Sequence, residues 1–199
     1  MPRIVRSQNP PPLGNYKKYK PYLRIDFDRR CAYCHMPETR YGGPRNFAVE
    51  HFRPKKLFPS LKCDYSNLYY ACNSCNDFKG AGWPTHGEQA HGYEFVDPCE
   101  SALSAHIGFD SSTGAASPRT IAGRYTSNHL YLDRDFLRIW RAGKQDLERR
   151  LAELDAIIVE IETDAGLHLL PLGQRLVENL GRERQRVCRV LATEYADWW

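Results

Sequence analysis

The sequence predicts an α+β protein in which a small metal-stapled core is followed by a mainly α-helical C-terminal region. Three observations predict it. Two CxxC pairs, CAYC (Cys31, Cys34) and CNSC (Cys72, Cys75), stand 37 residues apart. Between them FAVEHF has the aromatic and β-branched content of a short strand. From Leu132 onward, apolar residues recur at helical spacing with charges between them.

The elements follow in chain order. Residues 1–30 read as an N-terminal arm and a short helix: NPPPLGN is extended, and YKKYKPYLRIDFDRR is a helix with Pro21 near its start, delivering the first knuckle. Residues 31–95 form the knuckle core. HMPETRYGGPRN is a turn-rich loop, FAVEHF the strand, and RPKKLFPSLKCDYS a loop broken by Pro54 and Pro59. NLYYACNSCNDFKG passes through the second knuckle and continues as a helix. Residues 96–199 form the helical C-terminal region. It opens with GFDSSTGAASP, a hairpin turn or surface loop, and HGEQAH before it reads as loop polarity. Phe136, Leu137, Trp140, Leu147, Leu151, Leu154, Ile157, Ile158 and Ile161 then mark a long amphipathic helix, with Asp133 or Asp135 as its cap. GLHLLPLG breaks it, and a last amphipathic helix runs to the terminal DWW.

Composition sets limits. With 199 residues, 42% hydrophobic and 26% charged, the chain suits one medium domain or a small domain with a helical extension. It has no apolar run long enough to span a bilayer, and its N-terminus lacks the apolar centre of a signal peptide. The expectation is a cytoplasmic protein without a membrane partner. The net charge of +4 is unevenly spread: residues 1–80 hold 15 Lys/Arg against 6 Asp/Glu, whereas residues 81–199 hold 13 against 18. A polyanion would dock on the first half.

Seven cysteines without an export signal argue against a disulfide framework. Two CxxC knuckles instead give one structural Zn²⁺ four thiolates, Cys31, Cys34, Cys72 and Cys75, each short turn letting both sulfurs converge at about 2.3 Å from the ion. The 37-residue spacer must then hold structure of its own. Within and beside it lie Glu50, His51, Asn67 and Asn76. Each has a plain structural reading: a strand end, a helix cap, the end of a knuckle turn.

The order CAYC, VEHFRPK, SNLYYACNSCN and NDFKG over residues 31–80 resembles the HNH endonuclease superfamily of zinc-knuckle ββα-metal type. FVDP, PRTIAGRYTSNHLYLDRDFL and the helical end are similar to a bacterial subgroup found in anti-phage defence loci of the Septu and retron type, whose nuclease works beside an ATPase. The resemblance implies a metal-dependent nuclease, with DNA expected over RNA as substrate. It makes His51 the general base and has Asn67 orient its imidazole. Glu50 and Asn76 become ligands of a catalytic Mg²⁺ or Mn²⁺, although many members carry Asp or His where Glu50 stands. Arg53, Lys55, Lys56 and Lys79 would meet phosphates. A co-encoded ATPase would dock on the C-terminal helices, for which the terminal Trp198 and Trp199 also suit a partner groove. The oligomeric state is left open. The alternative is a zinc-knuckle module that binds nucleic acid or protein without chemistry. His51 with Asn67 and Asn76 favours the enzyme, since a structural knuckle needs none of them.

Overall fold

The computed structural model describes residues 3–195. In order they form α1 (Lys20–Asp26), β1 (Phe47–His51), β2 (Leu68–Cys72), α2 (Asn73–Lys79), α3 (His86–Ala90), α4 (Leu103–His106), β3 (Ile107–Phe109), β4 (Ala116–Pro118), α5 (Ile121–His129), α6 (Asp135–Thr163), α7 (Ala165–His168) and α8 (Pro171–Glu194). The architecture is α+β as expected, with a ββα unit at the four cysteines and a helical C-terminal region.

β1 and β2 pair antiparallel in the register Phe47↔Cys72, Val49↔Tyr70 and His51↔Leu68, and β2 runs directly into α2. β2 is a strand where the sequence suggested only the lead into a helix. The reason is burial: all five of its residues are buried, so no polar alternation marks it. α1 packs against both strands with Leu23 fully buried, and Phe27, just after it, sets its ring 5.4 Å from that of Tyr69, which stacks in turn on Tyr33. The core is aromatic, with Tyr33, Phe47, Tyr69 and Tyr70 fully buried and the hydroxyls of the three tyrosines each donating to a carboxylate, of Glu50, Asp97 and Glu38. Buried phenols need such acceptors.

Residues 3–14 carry no helix or strand, yet they are tied down. Ile4 N donates to the Pro98 carbonyl, and Ser7 N and Gln8 N both donate to Asp26 Oδ1 at 2.8 Å. Arg6 reaches the carbonyls of Tyr65 and Ser66 while lying over the Tyr69 ring.

β3 and β4 form a hairpin around GFDSSTGAASP, where the sequence left a hairpin turn or a surface loop open. Gly114 in its turn has φ +67, and a Cβ there would stand 2.0 Å from the Arg138 carbonyl of α6. Only glycine lets the hairpin seat that closely. HGEQAH contributes a helix rather than a loop: Thr85 and Glu88 make a reciprocal capping box at the start of α3. α6 has no side-chain cap, because Asp133 accepts instead from Ala116 N and Asp135 lies inside the first turn.

α6 and α8 lie against each other as a helical hairpin joined by α7, with Arg150–Glu183 and Arg184–Asp155 ion pairs across it. Pro171 opens α8 where a missing N–H costs nothing. At the base, Tyr195 stacks on Trp140 with ring centroids 5.4 Å apart, and Arg30 donates to the Thr193 and Glu194 carbonyls at 2.8 and 2.9 Å. Trp198 and Trp199 lie outside the described residues. No helix among the described residues is long and apolar enough to cross a membrane.

The Arg30 contacts generate a test. Arg30→Met should loosen the last turn of α8 by about 1.5–3 kcal/mol, the range for hydrogen bonds from a charged group. Hydrogen exchange should rise in residues 187–195 while the zinc content stays unchanged. Unaltered exchange there would show that Arg30 does not anchor the helix.

Candidate active site and metal centre

The two knuckles meet because the backbone joins them. In the first, His35 N donates to the Cys31 carbonyl and Cys31 N donates to the Met36 carbonyl, with His35 at φ 58 completing the turn. Ala32 N then donates to the Tyr70 carbonyl of β2 at 2.8 Å, which places this turn beside the strand that ends in Cys72. Cys31, Cys34, Cys72 and Cys75 are all buried, with their sulfurs within 4.8 Å of one another. Sulfurs at the corners of a tetrahedron around zinc stand about 3.8 Å apart, given Zn–S near 2.3 Å. Cys34 Sγ and Cys72 Sγ are 3.8 Å apart. The donor set, its burial and its spacing fit a structural zinc ion. Arg134 Nη2, just before α6, donates to Cys75 Sγ at 3.3 Å.

A second site lies at the end of β1. A cavity of about 690 Å³ has Ala48, Val49, Glu50 and His51 on one wall and Asn76, Asp77, Gly80 and Ala81 on another. Tyr16, Lys17, Lys20, Lys55 and Lys56 surround it. Thus Glu50, His51, Asn76, Lys55 and Lys56 line one cavity. Tyr16, Lys17, Lys20 and Asp77 are additions. The run YKKYK, basic with interleaved aromatics, was the signal for the first three.

His51 Nε2 stands 3.0 Å from the Lys62 carbonyl. A carbonyl can only accept, so Nε2 carries the hydrogen and Nδ1 keeps its lone pair. Burial pulls the His51 pKa below the ordinary imidazole value, and the Lys55 and Lys79 charges act in the same direction against Lys62 and Glu50. The ring is therefore neutral at neutral pH, as a base must be. The orienting group is the Lys62 carbonyl rather than Asn67. Asn67 works one step back: its Oδ1 accepts from Arg53 N, and its Nδ2 donates to the Arg53 and Leu61 carbonyls. It holds closed the loop that carries Lys62.

Glu50 and Lys79 depart from their expected roles. Lys79 was expected to meet phosphate, but its side chain is 0% exposed and its ammonium is bonded to Glu50 Oε1 at 2.8 Å and to the His51 carbonyl at 3.0 Å. Glu50 was expected to hold a catalytic ion, but its other oxygen accepts from Tyr33 at 2.6 Å. Strand alternation explains this: Glu50 turns toward Tyr33 and Lys79, and His51 toward Tyr16 and Lys62. Burial, with the Glu50 charge beside it, holds the Tyr33 phenol well above its usual pKa, so it remains the donor. For a hard divalent ion, Asn76 and Asp77 offer oxygen donors on the cavity wall, and such an ion keeps waters of its own. Glu50 lines the same cavity with one hydrogen-bond partner on each oxygen, Lys79 on one and Tyr33 on the other. Arg53 lies over the Phe58 ring and borders neighbouring cavities, not this one.

A ββα unit carrying four clustered cysteines and a histidine at the end of its first strand spans residues 31–82, and these residues match the family model described as HNH endonuclease. A particular relative can also be named. Septu protein PtuB of Bacillus thuringiensis is 31% identical over 101 residues, covering 47% of this chain and 35% of that protein. The chain thus spans little more than a third of the length of that curated relative.

Two measurements check this geometry. Elemental analysis of freshly purified protein should find one zinc per chain, and Cys72→Ser should lose it and unfold, because ion binding and folding are one event in such cores. Absence of stoichiometric zinc would refute the centre. Lys79→Met should destabilise the fold by about 3–5 kcal/mol, the cost of stranding a buried partner charge. Adding Glu50→Gln should recover part of that loss in denaturant titrations, and a double variant no better than Lys79→Met would show that the pair is not coupled.

Proposed function

We propose that this protein is a metal-dependent endonuclease that hydrolyses phosphodiester bonds of nucleic acid, DNA in preference to RNA, with residues 31–95 as its catalytic core. The observation that carries this reading is the neutral His51, its Nε2 committed to the Lys62 carbonyl, in a cavity surrounded by four lysines. The match of residues 31–82 to HNH endonucleases supports it.

The chain's own residues divide the work. Lys17, Lys20, Lys55 and Lys56 attract the phosphate backbone and hold it over the cavity. His51 Nδ1 takes a proton from a water poised to attack phosphorus. Lys79, bonded to both Glu50 and the His51 carbonyl, keeps the end of β1 from shifting. Mg²⁺ or Mn²⁺ at Asn76 and Asp77 would supply charge stabilisation for the phosphate oxygens. Zinc at the four cysteines would serve the fold alone.

The likeness to a Septu protein agrees with the defence-locus resemblance of the sequence and supports a role in bacterial anti-phage defence. A co-encoded ATPase would dock on the α6–α8 hairpin, whose far end exposes Leu169 and Leu172. One observation favours a second reading, a binding module without chemistry: the acid beside His51 is engaged by Lys79.

A cleavage assay with Mg²⁺ or Mn²⁺ on DNA and on RNA separates the two. His51→Ala should retain fold, zinc and most nucleic-acid binding while cleavage falls by about two to four orders of magnitude. Asn76→Ala should lose activity that added Mg²⁺ partly restores. Cleavage by His51→Ala protein at the parental rate would overturn His51 as the base, and a parent protein that binds nucleic acid but cuts none would establish the binding module instead.

A further inference from the structure

We infer that Tyr16 is a two-ended positioning residue, its ring holding the His51 imidazole in place and its hydroxyl holding the Lys55 ammonium where a phosphate docks. The inference rests on the nuclease reading and assigns part of that site to the N-terminal arm, far from the motif in sequence. The Tyr16 ring meets the His51 ring edge-on, with centroids 4.7 Å apart and planes at 68°. Its hydroxyl accepts from Lys55 Nζ at 3.0 Å, and the same ammonium lies 4.7 Å from the ring centroid. All three residues line the cavity.

Tyr16 is held firmly enough to do this. It opens a single 3-10 turn, Tyr16–Tyr19, capped by Asn15 Oδ1 accepting from Lys17 N at 3.0 Å. Tyr19 closes the turn in the core, its ring against Tyr65 and its hydroxyl accepting from Leu13 N at 2.7 Å. The turn is thus anchored on one side and presents Tyr16 on the other.

On its second face the imidazole needs such a neighbour. Its Nε2 bond to Lys62 fixes one atom, and the edge-on Tyr16 ring limits the remaining tilt of the imidazole about χ1 and χ2. Lys55 needs one for a different reason. An exposed ammonium on a flexible stem spends its entropy on docking, and a hydroxyl that holds it in advance reduces that cost. The two ends therefore act on different kinetic quantities. The ring governs the chemical step, and the hydroxyl governs substrate capture.

The test uses the full chain with a fluorescent duplex DNA oligonucleotide. It has three readouts: steady-state cleavage with Mg²⁺, anisotropy binding in a His51→Ala background, and ¹⁵N-histidine NMR of the His51 tautomer. Tyr16→Phe should keep kcat and the Nε2–H tautomer while raising KM roughly three- to tenfold, as for an exposed charge-assisted bond. Tyr16→Leu should lower kcat about ten- to a hundredfold, the scale of a small misplacement, and mix the His51 tautomers. Lys55→Met, which removes the charge as well as its tether, should raise KM and weaken anisotropy binding at least as much as Tyr16→Phe, with the double variant no worse than Lys55→Met alone. A Tyr16→Phe protein as poor in kcat as Tyr16→Leu overturns the assignment, as does a Tyr16→Leu protein with unchanged tautomer and kcat, or full additivity with Lys55→Met. If the parent protein cleaves nothing, the nuclease reading fails on its own, while the NMR and anisotropy still decide whether Tyr16 holds His51 and Lys55.

Discussion

Four sulfur atoms within 4.8 Å of one another, sealed from water, set the terms for the rest of the structure. Thiols at that spacing give up their protons only to a cation that binds them all, and the sites that supply them must arrive from two separate stretches of chain. The single main-chain bond from Ala32 to Tyr70 brings the stretches together, and it fixes where β2 begins relative to the first knuckle. Once β2 is placed, pairing places β1, and the end of β1 is where His51 stands. The four-cysteine cluster and the cavity are in this sense one unit: the first sets the coordinates of the second.

Around that construction, charge is handled in two opposite ways. At the cavity rim the lysines Lys17, Lys55 and Lys56 remain open to an incoming polyanion, in keeping with the basic first half of the chain. Under it, Lys79 and Glu50 neutralise each other out of contact with water. A buried pair of this kind adds little net stability over apolar side chains, but it penalises any geometry in which either member is alone. Its value here is directional, because Lys79 also grips the His51 carbonyl and so penalises slippage of β1.

Much of this was legible in sequence where the signal was local. The CxxC spacing speaks for itself, as does the apolar repeat of α6, whereas Pro171, read as part of the break GLHLLPLG, opens α8. Features that depend on distant partners were not. LYYAC is a strand without alternation because both of its faces are covered, Glu50 meets a lysine 29 positions away, and Asp133 serves the hairpin turn instead of its own helix. Thr85 and Glu88 are a different case: the capping box was written in the chain and simply outweighed by glycine and histidine around it. Tyr16 lay in a segment read only as a route to the first knuckle, although its aromatic and basic neighbours were in plain view.

The helical hairpin has both feet on the metal centre. α6 starts beside Arg134, which donates to Cys75 in the second knuckle, and α8 ends on Arg30, next to Cys31 in the first. At 1.5 Å per residue a helix the length of α6 reaches about 43 Å. The hairpin is therefore a pair of tongs whose jaws meet at the four-cysteine cluster while the handles extend far from it. A load that spreads or twists the handles is delivered at the jaws as a small displacement with a large moment, and it falls on the two knuckles that a metal bound by the four sulfurs would tie together.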